Sequence, residues 1–500
     1  MLGLYPVAEV RAAEEEIMSR VPAGTLMQRA AFGLASECAR VLRSVAGRVS
    51  GSKIVILVGS GNNGGDALFA GARLQERGAG VRAFALADRH HGDGARALVR
   101  AGGRVSLATA AEFPDAIAQA DLIIDGIVGI GASGPLRDLA HAAVIAANDS
   151  DALRVAVDVP SGVEADSGAV PGDAAFRADL TVTFGCAKPG LFAMPGRSWA
   201  GAVRVVDIGL TEALPPPSWQ VLEPIDVLGY FPAPAERDYK YSRGVVGVAA
   251  GSTRYPGAAL LTIGGARYAG VGMTVAFDRA DGVARDAVRA YPDVITTGQD
   301  PRELERVHAW VCGPGLVDDP ANDHPVSDLI EVLLQVSVPV VLDAGALGVV
   351  ADSEGLYEAI RARSARGAVT VLTPHAGEYR ALFGEDVQAA IESGAIVVRK
   401  GPATEILAPD GTVFVDSSGT PDLACAGSGD VLAGLIAGVL AHTGEDRLDA
   451  GAGAAVAAAT WMHGAAGRLA AAADRPVLAT DLVAALPEAI AELRRGDWSW

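Results

Sequence analysis

Three features of this 500-residue chain predict two different α/β domains in series. Short apolar strands alternate with helical stretches through the first two-fifths, a proline-rich passage follows, and a second alternation with new motifs then begins. Alternation of this kind builds a mostly parallel sheet covered by helices on both faces. The two alternations share no repeat period and no motif, so they read as separate folds with separate sites.

In the first alternation, residues 7–20 and 24–46 read as helices, broken at Pro22-Ala23-Gly24. Strands are expected at 53–58, 81–86, 121–124, 154–157, 180–184 and 203–206, with a helix over 67–77. Pro215, Pro216, Pro217, Pro224, Pro232 and Pro234 then stiffen a segment with little helical character. This places a linker at 213–236 between domains 1–212 and 237–500. Beyond it, strands are expected at 245–249, 272–276, 309–312, 338–342, 368–372 and 396–399, and helices at 429–441, 449–470 and 480–494.

A formal charge of −19 argues against a duplex nucleic-acid binder, whose footprint is basic. Nucleotides remain open as substrates, because backbone amides can hold phosphates in an acidic protein. Cys38, Cys186, Cys312 and Cys425 show no CxxC spacing, which disfavours a zinc site or disulfide scaffold and fits a reducing compartment. Glu14-Glu15-Glu16 stands where a signal peptide needs an apolar core, and the Ala-rich run 451–460 is too weakly apolar to span a bilayer. A cytoplasmic protein with no nucleic-acid or membrane partner is expected.

The chemistry concentrates at strand ends. Strand 53–58 runs into Gly59-Ser60-Gly61-Asn62-Asn63-Gly64-Gly65-Asp66 and a helix, the arrangement of a phosphate or dinucleotide cradle. Asn62, Asn63 and Asp66 add oxygens that a simple pyrophosphate turn does not need and that a hard cation would want. The next strand ends deliver Asp125, followed by Gly126-Ile127-Val128-Gly129-Ile130-Gly131, and Asp158, followed by Val159-Pro160-Ser161-Gly162. Each alone is explained as well by a turn or a helix cap. Three polar strand ends each followed by glycine point to one shared crevice.

In the second alternation, Ala426-Gly427-Ser428-Gly429-Asp430 leads into an apolar helical run. Free amides and the helix dipole favour an anion there by roughly 0.3–1 kcal/mol, and Asp430 stands where it could take a proton from a hydroxyl facing that anion. Gly313-Pro314-Gly315, Asp343 at a strand end, Thr373-Pro374-His375-Ala376-Gly377-Glu378 and Lys400-Gly401-Pro402-Ala403-Thr404 complete the set. A lone histidine such as His375 is more often structural, and Lys400 alone could be an ordinary solvated lysine.

Residues 1–210, through Leu26-Met27-Gln28-Arg29-Ala30-Ala31, the Gly59–Asp66 and Asp125–Gly131 segments, Val157-Asp158-Val159-Pro160-Ser161-Gly162, Thr181-Val182-Thr183-Phe184-Gly185 and Lys188-Pro189-Gly190, resemble the NAD(P)H-hydrate epimerase domain. The resemblance implies a Rossmann-like three-layer fold and a potassium ion on Asn63, Asp125 and Ser161. It implies hydrated NADH or NADPH bound by Asn62, Asn63, Gly64, Gly65, Asp66, Gly129, Ile130, Gly131, Ala132, Ser133, Gly134, Pro135 and Asp158. Asp158 is the expected proton donor or acceptor. Ala67 replaces a further glycine of that family's pattern, and Ile130 replaces a threonine.

Residues 237–500 resemble the ADP-dependent NAD(P)H-hydrate dehydratase domain, which implies a ribokinase-like α/β fold. By that resemblance Ala258, Gly315, His375 and Asp430 contact the hydrated nucleotide, with Asp430 catalytic, and Lys400, Gly401, Pro402, Ala403, Thr404 and Gly429 bind the ADP or AMP moiety. ADP is the expected co-substrate, with magnesium. Ala424-Cys425-Ala426-Gly427 lacks a lysine that relatives carry, and Val317 replaces a glycine. The combined expectation is a homo-oligomeric bifunctional enzyme that interconverts the R and S hydrates and dehydrates the S form, giving AMP and phosphate. The alternative is a vitamin or sugar kinase fused to a non-catalytic Rossmann-like binding module.

Overall fold

The computed structural model of the chain describes residues 1–108, 113–131, 134–279, 282–318, 325–472 and 475–496. It divides into two compact units, Gly3–Trp219 and Gln220–Trp500 with Met1–Leu2.

The first unit is built on seven strands: β1 (Lys53–Val58), β2 (Gly80–Ala85), β3 (Arg104–Leu107), β4 (Leu122–Gly126), β5 (Leu153–Val157), β6 (Leu180–Phe184) and β7 (Ala202–Val206). They lie in the order β3-β2-β1-β4-β5-β6-β7, all parallel. Alternation along β1 shows why its sequence is uniformly apolar. Ile54, Ile56 and Val58 pack under one helical layer, while Val55 and Leu57 pack on the opposite face with Phe113 and Val144. Burial on both faces leaves no position for a polar residue. The strand order reverses between β1 and β4, which opens a crevice at their carboxyl ends.

The helix after β1 is Asn62–Glu76 and not 67–77, so most of the glycine-rich stretch is its first turn. Glycines allow the tight entry, since a Cβ on Gly64 would lie 2.5 Å from the Gly59 carbonyl oxygen. Ala67 is accommodated because Gly126, against which it packs, has no side chain; a Cβ there would lie 2.6 Å from that of Ala67. Strand β3 was not expected from the sequence. Its burial is slight, and Arg104 and Ser106 break the apolar pattern of an edge strand.

The second unit contains β8 (Val245–Ala249), β9 (Met273–Phe277), β10 (Ile295–Thr297), β11 (Ala309–Cys312), β12 (Val340–Leu342), β13 (Thr370–Leu372), β14 (Ile396–Arg399), β15 (Thr404–Leu407) and β16 (Val413–Asp416). Their order is β16-β15-β14-β13-β12-β11-β8-β9-β10. The run from β14 to β10 is parallel, and β15 and β16 add on antiparallel. Helix Ser428–His442 crosses the core, buried from Val431 to Ala441. It meets helix Pro256–Tyr268 backbone to backbone: a Cβ on Gly434 would lie 1.9 Å from Thr262 O, and one on Gly265 would lie 2.1 Å from Val431 O. Gly434, four residues after Asp430, therefore serves packing. Part of the proline-rich passage is also built into this unit. Leu222, Val227 and Phe231 are buried in its core, and Pro224–Leu228 is a short helix started by proline at its first turn.

Candidate active sites

In the first unit the ends of β1, β4, β5 and β6 converge. Gly59 N–H donates to Gly126 O at 3.0 Å, closing the mouth between β1 and β4. The Asn63 side-chain amide donates to Val128 O (2.9 Å) and Val157 O (2.8 Å), tying the turns after β4 and β5 to the helix start. Its Oδ1 lies 3.0 Å from the place a Cβ on Gly129 would take, so only glycine leaves room there. Asp125 is fully buried. Its Oδ1 accepts from Ser161 Oγ (2.7 Å) and the Ile127 N–H (3.2 Å), and its Oδ2 accepts from the Ser161 N–H (2.8 Å). Burial pushes the Asp125 carboxyl up to about 6, against the pull of those three donors. Asn63, Asp125 and Ser161 offer oxygens to a ligand, and among the described residues the Asp125 carboxyl is bonded only by neutral donors. That donor set fits a hard monovalent cation.

Asp158 follows β5 in a left-handed conformation, φ +67°, which costs a non-glycine residue of order 1–3 kcal/mol. Its Oδ1 accepts from Lys188 Nζ (2.7 Å), Thr183 Oγ1 (3.0 Å) and the Phe184 N–H (3.3 Å). Lys188 Nζ also reaches Thr183 Oγ1 (2.9 Å) and Phe184 O (3.0 Å), so the ammonium is fully engaged. Two further carboxyls share this electrostatic environment. Asp66, whose buried Oδ1 has no hydrogen-bond partner, is held well above the usual carboxylate range by burial and then by Asp158 and Glu14. Glu14, half-buried on helix Val7–Met18, is raised by burial and then by Asp158. Such a cluster keeps a proton and a carboxylate side by side.

Of the other residues expected here, Asn62 is exposed at the helix start and Gly64 and Gly65 are buried in its first turn. Ile130 packs partly against the helical layer, Gly131 and Pro135 are exposed, and Gly134 takes φ +83°. Ala132 and Ser133 lie outside the described residues. Lys188 and Thr183 were visible in the sequence only as motif letters, and nothing marked Glu14, because a glutamate triplet on a helix reads as a solvated face.

In the second unit the ends of β11 to β14 meet the start of helix Ser428–His442. Gly427 caps that helix at φ +90°, and a Cβ there would lie 2.3 Å from Leu261. Asp430 sits in the first turn, its carboxyl pushed up to about 7 by burial and then by Asp343, against the pull of Lys400. Asp343, 1% exposed, accepts through Oδ1 from Lys400 Nζ (2.8 Å) and Thr373 Oγ1 (2.7 Å). Lys400 Nζ lies 3.2 Å from the place a Cβ on Gly429 would take, and the Lys400 N–H donates to Pro374 O at 2.9 Å. Lys400, Gly429, Asp430 and the Thr373–His375 turn are thus one neighbourhood. His463, buried on helix Glu445–Ala471, bonds Ser428 O through Nε2 at 2.9 Å; burial lowers it to about 4, so it is a neutral donor.

Ala258 and Gly315 abut, with a Cβ on Gly315 only 2.5 Å from that of Ala258. His375 caps helix Ala376–Phe383: its Nδ1 accepts from the amides of Gly377 (3.0 Å) and Glu378 (3.1 Å), which leaves Nε2 carrying the ring proton on an exposed side chain. Thr404 Oγ1 donates to Gly401 O (3.0 Å) and closes its own turn, while Gly401 and Pro402 are exposed and Ala403 half-buried. Asp343 was noticed at its strand end but given no role, and His463 was missed because a histidine on an apolar helix has no local signature.

The comparisons with known proteins bear on both units. A family model described as NAD(P)H-hydrate dehydratase matches residues 246–488, and one described as YjeF-related protein N-terminus matches residues 23–190. The chain is 42% identical over 454 residues to the bifunctional NAD(P)H-hydrate repair enzyme Nnr of Mycobacterium tuberculosis, covering 88% of this chain and 89% of that protein. It is 40% identical over 510 residues to the enzyme of that name from Mycobacterium leprae, covering 99% and 100%. Among solved structures, the ADP/ATP-dependent NAD(P)H-hydrate dehydratase from Bacillus subtilis co-crystallized with ATP and magnesium is 27% identical. It covers 54% of this chain and 97% of its own, with a TM-score of 0.44.

Proposed function

Because the chain belongs to the bifunctional NAD(P)H-hydrate repair enzymes, we propose that its two units act in turn on one hydrated nucleotide. The first interconverts the R and S hydrates of NADH or NADPH. The second dehydrates the S form with ADP, giving NAD(P)H, AMP and phosphate. The observation that carries this reading is the pairing of two sites: Asp158 held by Lys188 and Thr183 at the strand ends of one unit, and Asp430 beside Lys400 at a half-buried helix start in the other.

Epimerisation at C6 needs a proton to reach and leave the departing oxygen. Asp158, held by Lys188 and Thr183, is the residue we assign to that transfer, and Asp66 supplies a neighbouring carboxyl that holds its proton. The first turn of helix Asn62–Glu76 and the 129–135 segment bind the nucleotide. Potassium, when bound by Asn63, Asp125 and Ser161, supplies positive charge at the end of that crevice.

In dehydration, hydroxide is a poor leaving group. Transfer of the β-phosphoryl of ADP to the C6 hydroxyl makes phosphate the leaving group, expelled by the ring nitrogen's lone pair; the C5 proton then passes to the released phosphate or water, which restores the C5=C6 double bond of NAD(P)H. Asp430 takes the hydroxyl proton while the amides at the start of its helix hold the phosphoryl. Lys400, Gly401, Pro402, Ala403, Thr404 and Gly429 bind the adenine nucleotide, and Ala258, Gly315 and His375 the hydrate. Among the described residues no cluster of three His, Cys, Asp or Glu is arranged to hold a metal. Magnesium would accompany the nucleotide's phosphates and supply positive charge to them. A homo-oligomer and a cytoplasmic location go with this reading.

The test is to supply mixed R and S hydrates with ADP or ATP and follow the absorbance of the reduced nicotinamide. Full recovery with ADP supports both activities. Recovery of only the S fraction removes epimerisation, and recovery with ATP alone overturns the ADP assignment.

A further inference from the structure

Asp343 stands outside every group assigned above to nucleotide, hydrate or base, yet it is the most deeply buried carboxylate of the second site. Its strand end is built with care. A Cβ on Gly313 would lie 1.9 Å from Asp343 O, and Ala344, the next residue, takes φ +47°. Among the described residues only Ala344 and Asp158 are non-glycine residues with positive φ, so the two outliers mark one carboxylate in each unit. Strain of this kind persists where the surroundings over-determine a functional geometry.

We propose that Asp343 is a positioning residue which, through Lys400, sets how strongly Asp430 holds a proton. The proposal rests on the reading of Asp430 as the base. Asp343 Oδ1 holds Lys400 Nζ at 2.8 Å, with Thr373 Oγ1 fixing the same oxygen at 2.7 Å. The cation is thereby drawn toward Asp343 and stands over Gly429, next to Asp430, without being spent on it. Burial first, and then the like charge of Asp343, push Asp430 up to about 7, with Lys400 exerting only part of its pull against them. A base poised near neutral pH is what proton abstraction calls for. When an adenine nucleotide arrives, its phosphates compete for Lys400.

The other elements packed on this helix start add little charge. Helix Pro256–Tyr268 presents Ala258 and Leu261, and helix Glu445–Ala471 presents His463, neutral and bonded to Ser428 O. Asp481, in the first turn of helix Ala479–Arg495, faces Cys425 and is bonded to Arg475.

The experiment is the pH profile of kcat/KM for dehydration by the full chain, paired with carbon-13 titration of the Asp430 carboxyl without ligand. Asp343→Asn should move the acidic limb down by about one pH unit or more, because a like charge is lost and Lys400 is freed toward Asp430. Lys400→Met should move it up. Asp343→Glu should restore most of the wild-type position. A limb that stays in place in Asp343→Asn while the plateau falls overturns the proposal and makes Asp343 scaffold only. A wild-type chain with no dehydration at any pH refutes the functional reading instead, and the carboxyl titration then still decides the coupling.

Discussion

Lys188 Nζ lies 2.7 Å from Asp158 Oδ1, with the lysine side chain 1% exposed. Removing one partner of such a pair strands the other charge in a dry site, which costs about 3–5 kcal/mol. Lys188→Met should lower the unfolding free energy by about that amount in denaturant titrations. Exchange between R and S hydrates, followed by NMR, should fall at least about 100-fold. Exchange at the wild-type rate would reduce the pair to a structural brace.

Asp430→Asn should cut dehydration by about 10²–10⁴-fold while leaving epimerisation untouched, since the two carboxylates belong to separate units. Assaying both reactions on one preparation checks this. Parallel loss of both would signal misfolding.

Asp125 carries a pH dependence whose sign is fixed. Its folded value of about 6 is raised above the ordinary carboxylate value of about 3.9. Its contribution to stability is therefore fully present below about pH 4 and is lost as pH rises through 6. Between pH 4.5 and 7.5 this loss is on the order of 2–3 kcal/mol. Potassium chloride should raise the Tm at pH 7.5 but not at pH 4.5, and a tetramethylammonium salt of equal strength should do so at neither. Asp125→Asn should abolish the difference between the two cations.

His463→Leu removes a buried donor from Ser428 O, at a net cost of about 1 kcal/mol. The larger effect should be a several-fold rise in the KM for ADP, because the first turn of helix Ser428–His442 loses its tether. In the wild type the His463 ring should show no titration by NMR between pH 5 and 8, as burial holds it near 4.

Much of this was legible in the sequence. The strands 53–58, 180–184, 245–249, 309–312 and 396–399 were read to the residue, because parallel strands buried on both faces form short, mostly apolar and β-branched runs with sharp ends. Asp125, Asp158 and Ser161 stood out because polar residues there end such runs, with Gly126 directly after Asp125 and Gly162 directly after Ser161. Helix starts were read less well. The helix at Asn62 was placed five residues late, since glycine in a first turn carries the signature of a loop. Strands β15 and β16 went unread because their antiparallel hairpin lies among polar turn residues.

Composition, periodicity and the strand-end motifs determined two α/β domains, the stretches that bear chemistry, and the family they resemble. Those are properties of short windows, where neighbours in sequence are neighbours in space. Only the tertiary structure decided that Lys188 neutralises Asp158, that Glu14 and Asp66 share its surroundings, and that Asp343 holds Lys400 beside Asp430. Each joins residues from 30 to 144 positions apart. Burial gives these pairs their energy, and burial is created by the packed fold and not by any segment alone.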